Sequence, residues 1–215
     1  MTNSRYAAAL PTRILVWDSP TRIFHWILAI CFAGAMITQD MERLRLLHNT
    51  FGYTMLGLVG FRLIWGVIGT RYARFGSFVP SPRQVMGYLR SLIQQQPMHS
   101  IGHNPIGALG ILAMLALTVG VAVSGMVLDQ GIAEELMEEV HEVLANLLLI
   151  VVGIHVLGVV MSSITHKENL VGAMISGYKT GTAAQGIRSP LWWIGIPLAL
   201  AVVGFWAFQF GVISG

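Results

Sequence analysis

The chain has few charged residues and a single cysteine. Charged residues make up 11% of its 215 positions and hydrophobic residues 54%, whereas a soluble domain carries about 25% charged residues. The lone Cys31 can form no internal disulfide, no structural zinc site and no iron–sulfur cluster. We interpret Cys31 as a small packing residue and the composition as that of a membrane protein.

The apolar residues are grouped in five blocks, each near the roughly 20 residues that a helix needs to cross about 30 Å of hydrocarbon. A β-barrel would instead show shorter segments of alternating polarity. The blocks run over residues 22–38, 48–68, 104–128, 141–164 and 190–212. The prediction is an all-α integral membrane protein, with a four-helix transmembrane bundle and a fifth, C-terminal transmembrane helix.

Four segments begin with a capping residue followed by proline, a pattern typical of helix starts. They are Ser19–Pro20, Ser81–Pro82, Asn104–Pro105 and Ser189–Pro190. Three of them open hydrophobic blocks. The stretch after Ser81–Pro82, from Arg83 to Gln96, is too short and too polar to span a membrane, and its apolar residues recur at helical spacing. It is predicted to be an interfacial amphipathic helix.

The charges outside the blocks are unevenly distributed along the chain. One side of the predicted membrane carries only two of the basic residues, Arg43 and Arg45. It also carries eight acids, namely Asp40, Glu42, Asp129, Glu134, Glu135, Glu138, Glu139 and Glu142. The other side carries ten basic residues, namely Arg5, Arg13, Arg22, Arg71, Arg74, Arg83, Arg90, Lys167, Lys179 and Arg188. The positive-inside rule predicts a cytoplasmic N-terminus and a C-terminus on the outer side. The net charge of +3 thus reflects topology and gives no support for nucleic-acid binding.

Four of the seven histidines lie in or at the ends of hydrophobic blocks, where an ionisable residue is a functional hypothesis by default. His141 and His155 are fourteen residues apart, so both leave the helix on nearly the same face, about 21 Å apart in depth. A single metal ion could not reach both. One ligand near each membrane surface predicts two stacked haems, and without a Cys-x-x-Cys-His motif these would be bound non-covalently.

Each haem needs a second axial ligand from a facing helix. By depth, His48 pairs with His141 at the outer surface and His25 pairs with His155 at the inner one. The alternative is that some of these histidines make interhelical hydrogen bonds instead. His103 is a rival for the inner haem, but it precedes the helix start at Asn104–Pro105, which favours a contact with a haem propionate over ligation.

Arg62 follows His48 by fourteen residues and so lies on the same helix face, close to the inner surface. A buried arginine needs an anion, and the propionates of the inner haem would serve. The alternative is that Arg62 extends to the lipid headgroups.

The sequence resembles the bacterial cytochrome b561 family over about residues 13–180. The similar segments are Arg22-Ile23-Phe24-His25-Trp26, His48 with Gly52, Arg62-Leu63-Ile64-Trp65-Gly66, Arg74-Phe75, Gly102-His103-Asn104-Pro105-Ile106-Gly107, His141-Glu142 through His155, and His166-Lys167-Glu168-Asn169-Leu170. The resemblance implies a four-helix domain over residues 1–180 that holds two b-type haems, with His25, His48, His141 and His155 as axial ligands. Residues 181–215 would add the fifth helix, in which the chain departs from the family pattern.

The resemblance further implies electron transfer between membrane quinone and a redox partner, either a periplasmic c-type cytochrome or an oxidoreductase subunit. Whether the protein is an enzyme in its own right stays open. One alternative is a superoxide oxidase that reduces quinone, although the acidic outer loops would repel the superoxide anion. Another is a transporter or anchor without haem, which would leave the intramembrane histidines unexplained. The acids between Glu134 and Glu142 suggest a docking patch, or simply a solvated, charge-biased loop.

Overall fold

The structure is a computed structural model that describes residues 12–94 and 100–211. In chain order its strands and helices are β1 (Thr12–Leu15), α1 (Ser19–Thr38), α2 (Arg45–Ile68), α3 (Phe75–Phe78), α4 (Pro82–Ile93), α5 (Pro105–Asp129), α6 (Glu134–His166), α7 (Leu170–Ser176), β2 (Tyr178–Gly181) and α8 (Trp192–Gln209). Five helices, α1, α2, α5, α6 and α8, are long and apolar enough to cross a membrane. The predicted all-α membrane fold is confirmed.

The long helices alternate in direction and form a bundle with two distinct ends. One end, here called the strand end, carries β1, β2, α4 and α7. The other, here called the acidic end, carries the turns at residues 39–44 and 130–133. Helix α1 packs on α2, α2 on α5, α5 on α6, and α8 on α1. By contrast, α6 makes at most marginal backbone contact with α1 and α2. The space between it and that pair, here called the cleft, is bridged by side chains, such as Leu148, which packs in one cluster with Cys31 and Met55.

Apolar side chains cover the outer surface of the bundle. Only 6% of the most apolar stretch of α6 and of α8 is buried within the protein, and Ile154 and Trp193 are 63% and 72% exposed. Contact with lipid accounts for such a surface, because a large apolar surface exposed to water would be unfavourable. Helix α6 also starts seven residues before the predicted block. Its first turns contain acidic residues, which suit the positive end of the helix dipole but not hydrocarbon.

The helix starts match the capping predictions in two of four cases. Ser81 forms a complete capping box with Gln84, and Asn104 accepts a 2.7 Å hydrogen bond from the backbone N–H of Gly107. Helix α1, however, is capped by Asp18 and not by Ser19.

The prediction for Ser189–Pro190 is wrong. Helix α8 begins at Trp192, after Leu191 in a left-handed conformation and without a side-chain cap. The carbonyl of Pro190 instead accepts a 2.7 Å hydrogen bond from the N–H of Ser19. This bond ties the start of α8 to the start of α1.

The amphipathic helix α4 occupies most of its predicted range, while Gln95 and Gln96 lie outside the described residues. Its apolar residues Met86, Leu89 and Ile93 are 53%, 38% and 82% exposed. An exposed apolar face beside the end of a transmembrane bundle fits a helix that lies on the membrane surface.

Two strands that the sequence analysis did not predict pair with each other, one before α1 and the other after α7. β1 pairs antiparallel with β2, in a register from Thr12 opposite Gly181 to Leu15 opposite Tyr178. The backbone N–H groups of Val16 and Trp17 both donate to the carbonyl of Gly177, at 2.8 and 3.0 Å. The pairing holds the segment before α1 against the segment after α7. The division of the chain at residue 180 stays a prediction.

Asp18 links the start of α1 to the end of α2. The residue is 1% exposed. Its carboxylate caps α1 by accepting a 2.8 Å hydrogen bond from the backbone N–H of Thr21. It also accepts from the indole N–H of Trp65 at 3.2 Å and from the hydroxyl of Thr70. A buried carboxylate is stable only when its oxygens are satisfied in this way. The sequence analysis gave Asp18 no role.

Candidate functional site

The rings of His48 and His141 face each other at the acidic end of the cleft. His48 lies on the first turn of α2 and His141 on the second turn of α6, and both are half-buried. Their ring centroids are 6.2 Å apart and their planes are inclined by 68°. The structure therefore brings together the two histidines that were paired by depth.

Backbone carbonyls determine which nitrogen of each ring carries the proton. Nδ1 of His48 is 3.1 Å from the carbonyl oxygen of Ala35, and Nδ1 of His141 is 2.9 Å from that of Val121. A carbonyl can only accept, so each Nδ1 must be the protonated nitrogen. Nε2 of each ring then keeps its lone pair, which is the state in which a histidine binds a metal.

The two acceptor carbonyls are available for different reasons. Ala35 lies in the last turn of α1, where carbonyls lack a partner within the helix. Val121 lies inside α5, but Gly125 follows it by four residues and leaves the approach to its carbonyl open. A Cβ atom at Gly125 would lie 2.9 Å from Cε1 of His141, too close for an undisturbed ring. Gly125 thus makes room for the imidazole.

Three other glycines close to the histidines in the sequence behave differently. A Cβ atom at Gly52, Gly153 or Gly158 would meet nothing within 4 Å. These three leave space beside the helices without contacting a histidine, so Gly125 alone of the four is in direct contact with the site.

The spacing of the two rings fits one metal atom between them. Imidazole nitrogens bind metals at about 2 Å, and two such bonds with half a ring on either side add up to roughly 6 Å. In the described ranges, no group of three or more His, Cys, Asp or Glu side chains could hold a metal ion. The residues therefore fit a group that brings its own equatorial ligands, as haem does.

His25 and His155 form the second candidate pair, closer to the strand end. They lie on α1 and α6, on either side of the same cleft, and are near enough to interact electrostatically. Nδ1 of His25 is buried and has no hydrogen-bond partner among the described residues. The ring packs edge-on against Trp26, with centroids 5.0 Å apart. The tautomer of His25 is therefore not determined by a carbonyl.

Arg62 is buried at the strand end, with 3% of its surface exposed. Its guanidinium lies over the rings of Phe75 and Phe78, 4.9 and 5.7 Å from their centroids. One terminal nitrogen, Nη1, is buried without a hydrogen-bond partner in the described part of the chain. The local structure thus holds a cation with an unsatisfied donor.

His103 lies beside Arg62, between two aromatic rings. Its ring centroid is 4.8 Å from Trp17 and 4.7 Å from Phe78, and its Nδ1 is buried with no partner within residues 12–94 and 100–211. Burial lowers the pKa of His103 to about 3, and the nearby positive charge of Arg62 acts in the same direction. The imidazole is therefore neutral at physiological pH. As predicted, it precedes the first turn of α5.

Lys179 supports this region and was missed as a structural residue. It was counted only among the ten basic residues on one side of the membrane, but its side chain is 2% exposed and its ammonium lies 2.9 Å from a carboxylate oxygen of Glu168. It also donates to the carbonyl of Ile101 at 3.0 Å. Lys179 thereby fastens β2 to the loop that carries His103, and nothing in the local sequence distinguishes it from the exposed cations.

A membrane-spanning helical bundle with opposed histidines across an internal cleft defines the class of haem-binding membrane proteins. The family model of prokaryotic cytochrome b561 matches residues 16–177, and the chain belongs to this family. It is therefore a multi-pass membrane cytochrome that carries haem b, and the resemblance seen in the sequence is confirmed.

Curated relatives of the chain are b-type cytochrome subunits. A probable Ni/Fe-hydrogenase 1 B-type cytochrome subunit of Escherichia coli (strain K12) is 26% identical over 140 residues, which cover 53% of this chain and 59% of that protein. A probable Ni/Fe-hydrogenase B-type cytochrome subunit of Azotobacter vinelandii is 26% identical over 216 residues, covering 78% and 89%. The similar subunit of Rhodobacter capsulatus is 21% identical, covering 79% and 82%. No solved structure matches the chain.

We predict that Gly125→Ala disturbs the acidic-end site. The added methyl group would lie 2.9 Å from Cε1 of His141, so the ring must move away from its carbonyl partner. The expected result is a lower haem content or an altered low-spin electron paramagnetic resonance signal in the purified protein. Gly110→Ala is the control, since it lies on the same helix with nothing within 4 Å of the new methyl. If both variants match the unmodified protein, Gly125 does not set the position of His141.

Proposed function

We propose that the chain transfers electrons across the membrane through two non-covalent b-type haems, between membrane quinone and a redox partner. The observation that carries this proposal is the His48–His141 pair, with rings 6.2 Å apart and each Nδ1 held by a carbonyl. A haem bound by two histidines supplies reversible one-electron transfer and offers no open position for O₂ or a substrate.

The four histidines divide between the two haems by depth. His48 and His141 are proposed as axial ligands at the acidic end, and His25 and His155 as those nearer the strand end. The fourteen-residue spacing on α6 separates the two levels by about 21 Å. The carbonyls of Ala35 and Val121 orient their imidazoles and raise the basicity of the ligating nitrogen.

Arg62 and His103 are proposed to bind a propionate of the strand-end haem. Both carry a buried nitrogen without a partner among the described residues, and a buried cation is strongly destabilising unless an anion accompanies it. The 3% exposure of Arg62 supports an internal anion over extension to the lipid headgroups. His103, neutral because of its lowered pKa, can donate a hydrogen bond without adding charge.

The redox partner is proposed to dock at the acidic end. The relatives are named as subunits of hydrogenases, which supports an oxidoreductase subunit, and a periplasmic c-type cytochrome would use the same surface. Glu134, Glu135, Glu138 and Glu139 are exposed at the start of α6, within two turns of His141. Complementary charge raises the rate of encounter between electron-transfer partners.

By the positive-inside rule the acidic end faces the periplasm of a bacterial inner membrane and the strand end faces the cytoplasm. Arg5, the first of the basic residues, lies outside the described residues.

His141→Ala is expected to lose the haem at the acidic end, and His25→Ala the haem nearer the strand end, because each removes one of two axial ligands. The pyridine haemochrome assay on purified protein should therefore show a fall from two haems to one in each variant. His166→Ala, also on α6, is the control and should keep both. A variant that retains two haems with unchanged low-spin spectra would show that its histidine is not a ligand.

Arg62→Gln is expected to lower the reduction potential of the strand-end haem, because a nearby positive charge favours the reduced, less positive state. Each 1 kcal/mol of lost stabilisation corresponds to roughly 40 mV for a one-electron couple. Potentiometric titration of both haems measures the change, and Arg71→Gln, which alters an exposed arginine at the same end, is the control. Unchanged potentials in Arg62→Gln would favour contact with the headgroups instead.

Replacing Glu134, Glu135, Glu138 and Glu139 together with Gln should slow electron exchange with the partner at low salt while both haems are retained. For the unmodified protein the rate should fall as ionic strength rises from about 0.01 to 0.15 M, where the Debye length shrinks from about 30 to 8 Å. Stopped-flow spectroscopy of haem reduction measures both effects. A rate that responds to neither change would place the partner on the basic face at the strand end.

A further inference from the structure

Helix α4 packs on α5 at the strand end and has three distinct sides. Tyr88 and Ser91 form the side towards the protein, and both are buried. Successive residues of a helix are turned by about 100°. Met86, Leu89 and Ile93 therefore come together on a second side, within about 60° of one another. This second side is apolar and exposed.

Arg83 and Arg90 form the third side of α4, and both are exposed. They are seven residues apart, so they lie on one line along the helix, separated by about 10.5 Å, or two turns. The line borders the apolar side, since Arg90 is turned from Met86 by only about 40°. Helix α4 contains no acidic residue, so its own side chains do not neutralise these charges.

The carboxylates at the strand end are engaged elsewhere. All ten acids of the chain lie within the described ranges, and only Asp18 and Glu168 are at this end. Asp18 is buried among donors of α1 and α2, and Glu168 lies 2.9 Å from the ammonium of Lys179. The described structure therefore offers no free carboxylate at this end to Arg83 or Arg90.

We infer that α4 is a binding surface for anionic phospholipids in the leaflet at the strand end. Its apolar side enters the boundary of the hydrocarbon, which places the two arginines beside it at the level of the lipid phosphates. A guanidinium carries a planar set of donors that matches the oxygens of a phosphate group. The inference goes beyond electron transfer and does not depend on how many haems the protein holds.

The position of α4 favours lipid over an acidic soluble protein as the occupant. On the neighbouring helix α5, Ile106 and Leu109 in the first turns are apolar and 37% and 44% exposed, so the hydrocarbon begins at this level. Aromatic residues commonly anchor a protein partner, but the only aromatic residue of α4, Tyr88, is turned inwards.

Gly87→Cys places a reporter beside the arginines. Gly87 is exposed, and an added Cβ atom meets nothing within 4 Å. Cys31 is 1% exposed, so a bimane fluorophore should attach only to the new cysteine. The labelled, haem-loaded protein is reconstituted in phosphatidylcholine vesicles that contain a minor fraction of nitroxide-labelled phosphatidylglycerol or, in a parallel sample, nitroxide-labelled phosphatidylcholine. The ratio of the two quenching efficiencies measures the lipid preference at α4, and haem content is measured on each sample.

The expected result is stronger quenching by phosphatidylglycerol than by phosphatidylcholine, with each arginine contributing about fivefold. Arg83→Gln/Arg90→Gln, made in the labelled protein, should bring the ratio to within about twofold of unity. Arg43→Gln/Arg45→Gln is the matched control, because it removes the same charge from two exposed arginines at the acidic end, and it should keep the preference. Raising the ionic strength to about 1 M, where the Debye length is about 3 Å, should reduce the ratio whenever Arg83 and Arg90 are present.

Equal quenching by the two lipids in the protein that keeps its arginines would overturn the inference and make α4 an unselective surface helix. Weak quenching by both lipids would overturn it as well, since the apolar side would then lie away from the membrane and be open to a soluble protein. An unchanged preference in Arg83→Gln/Arg90→Gln would place the anionic lipid on another part of the strand end. None of these outcomes bears on the haem content or the reduction potentials, so the proposed function is tested separately.

Discussion

The site at the acidic end depends on two hydrogen bonds, each between a backbone carbonyl and the imidazole of a histidine. A carbonyl of α1 holds His48 and a carbonyl of α5 holds His141, so each ring is fixed in both orientation and tautomer before any metal is bound. Helices normally use their own carbonyls internally. The end of α1 at Thr38 and the missing side chain at Gly125 are what release the two acceptors.

The strand end is organised by a different constraint, the burial of charge. Asp18, Arg62 and Lys179 are all nearly inaccessible to water, and each would destabilise the fold if it were unpaired. Asp18 is satisfied by donors from α1 and α2, and Lys179 by Glu168 and a carbonyl. Arg62 has aromatic neighbours but keeps a free donor among the described residues. Among the described residues, the negative charge of Asp18 acts on Arg62, but Nη1 of Arg62 is left without a hydrogen-bond partner.

The bundle remains open because its helices have unequal roles. α2 packs on both α1 and α5 and these helices supply most of the buried core, whereas α6 packs mainly on α5 and reaches α1 and α2 across the cleft through side chains such as Leu148. A flat cofactor between them would supply the missing contacts, so binding and packing are coupled. α8 does not border this cleft. It packs on α1 and lies beside α2, with which it forms an apolar groove.

The spans, their alternation and the common face of His141 and His155 could be predicted from the sequence, because block length and helical rise are local properties. The resemblance to the cytochrome b561 family pointed to the same four histidines. Two caps were wrongly predicted, since Asp18 caps α1 in place of Ser19, and α8 begins after a left-handed Leu191 without a side-chain cap. The tertiary structure alone decided which carbonyl holds each ring, and it buried Lys179 by pairing β2 with β1, where the partners Thr12 and Gly181 are 169 residues apart. Such contacts depend on how distant segments pack, and no local pattern of side chains encodes them.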